Sequence, residues 1–445
     1  MTLEVYTIGG YHEVGKNMTA VKYNNEIIIL DMGIHLPNYI TLTEEEAEDV
    51  TRFSEDELRE SEVVPDDSFL MQWKDQVKAI VPTHAHLDHV GAIPYLAKNY
   101  DCPVICTPFT AEVIKAICKD EKIKLQNQIK VLNSNSKLKI SENIDIEFIH
   151  VTHSTPQTVM ILVNTPEGKI LYANDFKFDN FPTIGSKPNY KRLKELAEED
   201  IKLLIVDTLY ADKPSKTPGE NIAADMLKDV LIETESFGKA VIVTTFSSHL
   251  ARLKTIVKLG KQMGRKIVFL GRSMSKYIGA GENIGLVEFS KEGELVKFKR
   301  EVRRKLRDIA RIGAHKYMII CTGHQGEPKA VLSRIVNKEM QFKLMQGDHV
   351  VFSCNVIPTD INIEAREKLE NKLKSYGVRI FKGAHVSGHA AREDLRELLM
   401  MVKPKKIIPS HSEKDVAKEV AGLAEELGYT KEDVLVVGNG KKISL

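Results

Sequence analysis

Short apolar runs that close on a carboxylate or an imidazole recur along this chain. Leu3 to Gly33 reads as strand, glycine-containing loop, strand, strand, and the last of these, Glu26-Ile27-Ile28-Ile29-Leu30-Asp31, ends in a carboxylate ahead of Met32-Gly33. Val77 to Pro82 is a buried-strand pattern that opens onto His84-Ala85-His86-Leu87-Asp88-His89, followed by a helix-like stretch from Val90 to Lys98. Short elements continue to Ile149, where His150-Val151-Thr152-His153 follows. Lys169 to Phe176 predicts a strand ending near Asp175, and Ile201 to Asp207 repeats the pattern. Lys406-Ile407-Ile408-Pro409-Ser410-His411 repeats it once more. Polar groups at successive strand ends fall along one edge of a sheet.

From about Thr208 the rhythm lengthens into βα units. A helix pattern over Asn221–Glu235 precedes a strand over Lys239–Phe246 that leads to Ser247-Ser248-His249. Lys266–Leu270 leads to Gly271-Arg272-Ser273. Tyr317–Cys321 leads to Thr322-Gly323-His324, with Pro328 placed to start a helix. Strand, small-residue turn and helix describe an open α/β sheet with a ligand crevice at its strand ends. Near Gly377 the strand-end histidines return, and Phe381 to His389, if extended, places His385, Ser387 and His389 on one side. A helix over Lys414–Leu427 and a strand over Val434–Val437 are expected to close the chain. Glu44 to Glu62 is an acidic, helix-like excursion, read first as a solvated surface and otherwise as a lid or an oligomer contact.

The chemistry concentrates at residues 84–89. Three imidazoles and a carboxylate within six residues are too polar for a core and too dense for an ordinary surface. Neutral imidazole and carboxylate are what Zn²⁺ accepts, and four such groups can serve two adjacent ions. Asp31 is either a turn-former or a carboxylate that orients a ligand imidazole, and either His150 or His153 can complete a metal shell.

Composition narrows the partners. No run of 18 apolar residues exists, so no membrane span is expected, and Met1–Val5 lacks the basic start of a secretory leader. Five cysteines without CxxC spacing suit a reducing compartment. With 63 basic and 62 acidic residues, global charge gives no support for a nucleic-acid partner. The distribution is uneven, however. Lys297, Lys299, Arg300, Arg303, Arg304, Lys305, Arg307 and Arg311 form a basic helix-like stretch, either a phosphate-binding face or a merely solvated one. No GxGxxG or GxxxxGK[ST] run is present, which removes the usual nucleotide motifs.

Together these residues resemble the metallo-β-lactamase superfamily and, within it, the β-CASP nucleases. His84-Ala85-His86-Leu87-Asp88-His89 reproduces the superfamily's HxHxDH motif, with Asp31, His153 and Asp175 at its other motif positions. Asp207, His389 and His411 match the β-CASP motifs. Gly15-Lys16-Asn17-Met18, Asp175 to Asp179, Gly271 to Met274, Thr322 to Pro328 and His385 to His389 resemble the ribonuclease branch in its shorter, archaeal form. Asn174 stands where that family usually has Gly, and His324 where Ser is usual. Val206-Asp207-Thr208-Leu209-Tyr210-Ala211 replaces the commoner SDSTNA.

The resemblance implies an α/β fold, an αββα sandwich at 1–208 and 371–445 with a β-CASP α/β domain inserted at 209–370. It implies two Zn²⁺ per subunit, with Mn²⁺ or Mg²⁺ as alternatives supporting activity. His84, His86 and His153 would hold one ion, Asp88, His89 and His411 the other, and Asp175 would bridge them. Asp207 and His389 would move a proton at the leaving oxygen. His385, Val386, Ser387, Gly388 and His389, with Ser247 and Ser248, would grip substrate phosphate. The implied activity is a cytoplasmic ribonuclease acting on single-stranded RNA, mainly 5′-to-3′ from a 5′-monophosphate, with internal cleavage as a second mode and a homodimer as the family expectation. The rival readings are an endonuclease of the RNA-cleavage or DNA-repair type, a small-thioester or lactam hydrolase, and a silent scaffold subunit.

Overall fold

In the computed structural model, which describes residues 2–45, 53–357 and 360–445, the chain divides into two compact units. One comprises Met1–Asn180, Ser186–Thr217 and Gly388–Leu445, and the other Phe181–Gly185 and Pro218–Ser387. The middle of the acidic excursion, 46–52, lies outside the described residues. Its flanks form helices Leu36–Glu45 and Glu55–Glu60. No helix among the described residues is long and apolar enough to cross a membrane.

The first unit is built on two sheets. One has seven strands in the order Lys441–Ser444, Leu3–Gly9, Met18–Tyr23, Glu26–Leu30, Val77–Val81, Val104–Cys106, Ile129–Val131. The other has six, in the order Lys406–Ser410, Ile201–Asp207, Gly168–Ala173, Val159–Thr165, Asp145–His150, Lys137–Lys139. The apolar residues of the central strands are continuous because both faces of those strands are covered. Val5, Val21, Ile28 and Val81 of the first sheet meet Phe148, Ile161, Tyr172, Ile205 and Ile408 of the second in one buried cluster. The alternate residues Leu162, Leu171, Leu204 and Ile407 face away, onto Leu193, Leu395, Leu398 and Leu423 of the helices Tyr190–Glu195, Arg392–Val402 and Lys414–Glu426. Each such side chain contributes about 1.5–3 kcal/mol when fully buried, and the layering is that of the αββα sandwich implied by the resemblance.

Register fixes where the polar strand ends fall. Ile201–Asp207 lies parallel to both Gly168–Ala173 and Lys406–Ser410, with Ala173 opposite Val206 and Asp207 opposite Ser410. Asp175, Asp207 and His411 therefore leave the second sheet at one edge. In the first sheet Leu30 pairs in parallel with Val81, which brings Asp31 beside the start of 83–89.

The inserted unit holds a parallel six-stranded sheet ordered Gly293–Val296, Lys266–Leu270, Tyr317–Cys321, Val241–Thr244, His349–Phe352, Arg379–Phe381. Strands and helices alternate along its sequence, as the longer rhythm predicted. Three expectations are corrected. The helix after Pro328 begins only at Val331. Residues Val434–Val437 form no strand: Val434 and Val436 pack on the helix-side cluster and Leu435 and Val437 on the inter-sheet cluster, with one bridge from Val434 to Ile407. They alternate without building a ladder. The closing strand is instead Lys441–Ser444, antiparallel to Leu3–Gly9, too polar and short to be read from periodicity. The extended run expected through His389 also stops, at Phe381.

Candidate metal centre

Three sequence-distant strand ends carry their polar residue in the left-handed backbone region: Asp31 at φ 58°, Asp175 at φ 51° and His411 at φ 56°. That conformation is sparsely populated for residues with a Cβ, and Asp and His tolerate it better than branched residues do. It turns each of these side chains out of the strand at its end.

His86 caps a one-turn helix, Leu87–Val90, that presents Asp88 and His89. This turn packs against the 31–34 segment so closely that Gly33 is obligatory, since a Cβ there would lie 1.7 Å from the Asp88 carbonyl oxygen. Met32 N–H donates to His89 O at 2.8 Å, and Asn17 N–H to Asp88 O at 3.0 Å.

Besides Asp175, Asp207 and His389, which also lie within reach of one another, two donor groups bring together the residues expected as ligands. In one, His84 Nε2 and His153 Nε2 each lie 3.1 Å from His86 Nδ1, and each lies 3.5 Å from Asp175 Oδ2. Four donors around a tetrahedral zinc, about 2.0–2.1 Å away, stand about 3.3 Å apart. In the other, His89 Nε2 is 3.3 Å from Asp175 Oδ2 and 3.6 Å from Asp88 Oδ2. His411 Nε2 is 3.8 Å from Asp88 Oδ2 and 3.8 Å from Asp175 Oδ1. Asp175 belongs to both groups. Its two buried oxygens receive no hydrogen bond of good geometry among the described residues, an expensive state for a carboxylate unless a cation compensates it. Facing nitrogens, orphaned oxygens and tetrahedral spacing fit a pair of metal ions.

The outer nitrogens of the imidazoles are held by partners that fix which nitrogen faces inward. His89 Nδ1–H donates to Asp31 Oδ2 at 2.8 Å, and Asp31 Oδ1 also accepts from Thr83 N–H at 2.7 Å. Asp31 is thus the orienting carboxylate rather than a mere turn-former. His153 Nδ1–H donates to the Gly388 carbonyl at 2.7 Å. His411 Nδ1–H donates to Asn17 Oδ1 at 3.1 Å, and Thr83 Oγ1 lies 3.0 Å from His84 Nδ1. His150 turns away, its Nε2 2.9 Å from Ser186 O, which leaves His153 as the histidine in the cluster.

Electrostatics separates the imidazoles. Burial pushes His84 and His153 well below the usual histidine range and His86 down to about 4, so all three offer lone pairs at neutral pH. For His89 burial acts the same way but is outweighed by Asp175, Asp31 and Asp88, which hold it well above that range. Burial likewise opposes charge on His389, yet Asp175 and Asp207 raise it to about 9. His389 Nδ1–H donates to Asp207 Oδ2 at 2.8 Å, and its Nε2 lies 3.9 Å from Asp175 Oδ2. The His389 ring stacks on His411 with centroids 5.4 Å apart.

Nine expected residues therefore converge: His84, His86, Asp88, His89, His153, Asp175, Asp207, His389 and His411. Gly388 joins them through its carbonyl. Ser247, Ser248, His385, Val386 and Ser387 fall in the inserted unit. There Ser247 and Ser248 are buried just beyond the strand Val241–Thr244. A fully buried Arg252 organises that sheet edge. It donates to Ser353 Oγ at 2.7 Å and to Ala384 O at 3.3 Å, beside His385, and pairs with Glu220 at 3.0 Å. Sequence reasoning missed Arg252 and Glu220, whose surroundings are unremarkable helix residues. Asn17 was visible only inside the Gly15–Met18 string.

Residues 74–210 match the family model described as metallo-beta-lactamase superfamily. Residues 238–373 match "Ribonuclease J, beta-CASP domain", and 377–437 match "Zn-dependent metallo-hydrolase RNA specificity domain". The chain is 44% identical to "Ribonuclease J" of Methanocaldococcus jannaschii, covering 100% of this chain and 99% of that one. It is 40% identical to "Ribonuclease J" of Pyrococcus abyssi, covering 100% and 97%. With "Ribonuclease J 1" of Streptococcus pyogenes it shares 32% identity over 99% of this chain and 74% of the relative. A solved structure titled as a protein of unknown function from Enterococcus faecalis V583 shares the fold, with a TM-score of 0.67 at 17% identity and full coverage of both chains.

Proposed function

The chain belongs to the ribonuclease J family, and on that premise we propose that it is a zinc-dependent ribonuclease acting on single-stranded RNA. The observation that carries this reading is the sharing of Asp175 between two donor groups of matched spacing. His84, His86 and His153 would hold one Zn²⁺, Asp88, His89 and His411 the second, with Asp175 between them. When bound, such a pair supplies Lewis acidity and a nucleophile at neutral pH for in-line displacement at phosphorus.

The chain's own residues do the rest. His389, steadied through Nδ1 by Asp207, delivers a proton to the departing 3′ oxygen from Nε2. Asp207 keeps the imidazole in the tautomer that points Nε2 toward the Asp175 side of the cluster. Backbone N–H groups, hydroxyl and imidazole at His385, Val386, Ser387, Gly388 and His389, with Ser247 and Ser248, hold phosphate. On this reading the activity is mainly 5′-to-3′ removal of mononucleotides from a 5′-monophosphate, with internal cleavage as a second mode.

Metal-loaded protein is incubated with 5′-monophosphorylated, 3′-labelled RNA. Zinc- or manganese-dependent shortening of the labelled strand in single-nucleotide steps is expected. Laddering from internal sites on 5′-blocked RNA would move the reading to an endonuclease, and no metal-dependent cleavage would overturn it.

A further inference from the structure

The helix Lys299–Ile312 of the inserted unit carries more positive charge than its packing requires. Its buried side is Val302, Leu306 and Ile309. On the outward side Arg300, Arg304, Arg307 and Arg311 follow one another at steps of four, three and four residues, which is one line along a helix. At 1.5 Å per residue that line is about 16 Å long. All four arginines are exposed.

Part of this charge is compensated locally, and part of it is not. Lys305 pairs with Glu294, Arg311 lies 3.4 Å from Asp308, and Arg303 donates to the Glu339 carbonyl at 3.2 Å. Arg300, Arg304 and Arg307 form no ion pair among the described residues. Like charges at i,i+4 repel, and Arg300 sits in the first turn, where the helix dipole is already positive. The arrangement weakens the helix that carries it. Just before the first turn Phe298 is 54% exposed, with Lys297 Nζ 5.4 Å from its ring centre.

We infer that this face is a track for the sugar–phosphate backbone of single-stranded RNA, with Phe298 as a stacking platform for a base. The inference rests on the ribonuclease reading above and adds to it a second surface for the same polymer. Planar guanidinium groups take phosphate oxygens in pairs, and Arg is the cation suited to that geometry. A row of exposed arginines, three of them without an ion pair among the described residues, that ends at an exposed aromatic ring is the combination that single strands use. The ring favours a polymer that carries bases over an acidic protein surface.

The test uses the full, zinc-loaded chain and a phosphorothioate-linked, hydrolysis-resistant 30-nucleotide RNA, with binding read by fluorescence anisotropy across a salt series. Replacing Arg300, Arg304, Arg307 and Arg311 together by Gln is expected to weaken binding at least tenfold. The slope of log affinity against log salt should flatten by about 3, from roughly 0.7 per phosphate contact. Phe298→Ala is expected to weaken binding about fivefold or more while leaving that slope in place. Hydrolysis of an ordinary 6-nucleotide RNA should be unchanged in both variants. Unchanged affinity and slope in the fourfold variant would overturn the inference, and so would an equal loss on the 6-mer, which signals general damage. A blunt duplex that competes as well as the single strand would overturn the single-strand assignment. If the unaltered chain fails to cut the 6-mer, the ribonuclease reading itself fails, a result separate from these.

Discussion

Asp31→Asn isolates the charge behind one metal group. Asn keeps the size of the side chain and tolerates the left-handed φ of 58°, so the backbone is not strained by the change. One amide oxygen remains to accept from Thr83 N–H, now 2.7 Å away. What disappears is the anion 2.8 Å from His89 Nδ1, in a site where Asp31 is fully buried. Loss of such an outer partner costs roughly 10–100-fold in metal affinity, or about 1.4–2.8 kcal/mol. The loss should fall first on the Asp88, His89, His411 group, because Asp31 bonds His89 directly and reaches His84 of the other group only through Thr83 Oγ1. Competitive zinc titration against a chelator should therefore show one weakened step and one nearly unchanged. Asp31→Ala adds the desolvation cost of the abandoned donors, about 1–3 kcal/mol, and about 1–2 kcal/mol of left-handed backbone strain. It should lower Tm where Asp31→Asn does not. If Asp31→Asn binds both zinc ions within threefold of the parent, the orienting role assigned to Asp31 is wrong.

Other expectations follow from neighbouring contacts. Gly388→Ala places a Cβ 2.9 Å from the His153 ring, so zinc at the first group and hydrolysis should both fall more than tenfold, with the loss visible by metal analysis. Asp207→Asn should leave zinc content near that of the parent while lowering kcat about 10²–10⁴-fold, because His389 loses the carboxylate that accepts from its Nδ1–H at 2.8 Å and, after Asp175, helps to raise its pKa against burial. Zinc content below one per chain would instead make Asp207 a ligand. Burial opposes charge on His89, but Asp175, Asp31 and Asp88 outweigh it and hold the imidazole above the histidine range in the metal-free chain, so zinc uptake there is expected to release a proton. Calorimetry in buffers of different ionisation enthalpy should report release of about one proton, and none would count against the His89 assignment. Glu220→Gln strips the fully buried Arg252 of its counter-charge and should cost about 3–5 kcal/mol of stability in the inserted unit, measured by chemical denaturation. Burial disfavours the Glu220 carboxylate, but His249 and Arg252 more than compensate and depress its pKa. Its stabilising contribution is therefore present above the ordinary carboxylate range and lost as pH falls below it, and the variant should lose that acid-side slope.

The amino-acid sequence by itself determined where candidate donors are densest and, through the family resemblance, the class of fold. Metal-ligating chemistry is dense and local at 84–89, and strands buried on both faces leave apolar runs whose polar terminators are plain to read. Periodicity also carried the change of rhythm into the inserted unit. Where an element is held by neighbours rather than by its own pattern, the sequence was silent. Val434–Val437 alternates like a strand yet finds no ladder, while the polar Lys441–Ser444 becomes one because Leu3–Gly9 offers a free edge. The choice of His153 over His150 depended on a carbonyl at Gly388, 235 residues away from it. Asn17 reaches His411 across 394 residues, a contact no local pattern encodes. Parallel register decided the rest: only when Ser410 comes to lie opposite Asp207 do separate strand ends share one edge and become a single site.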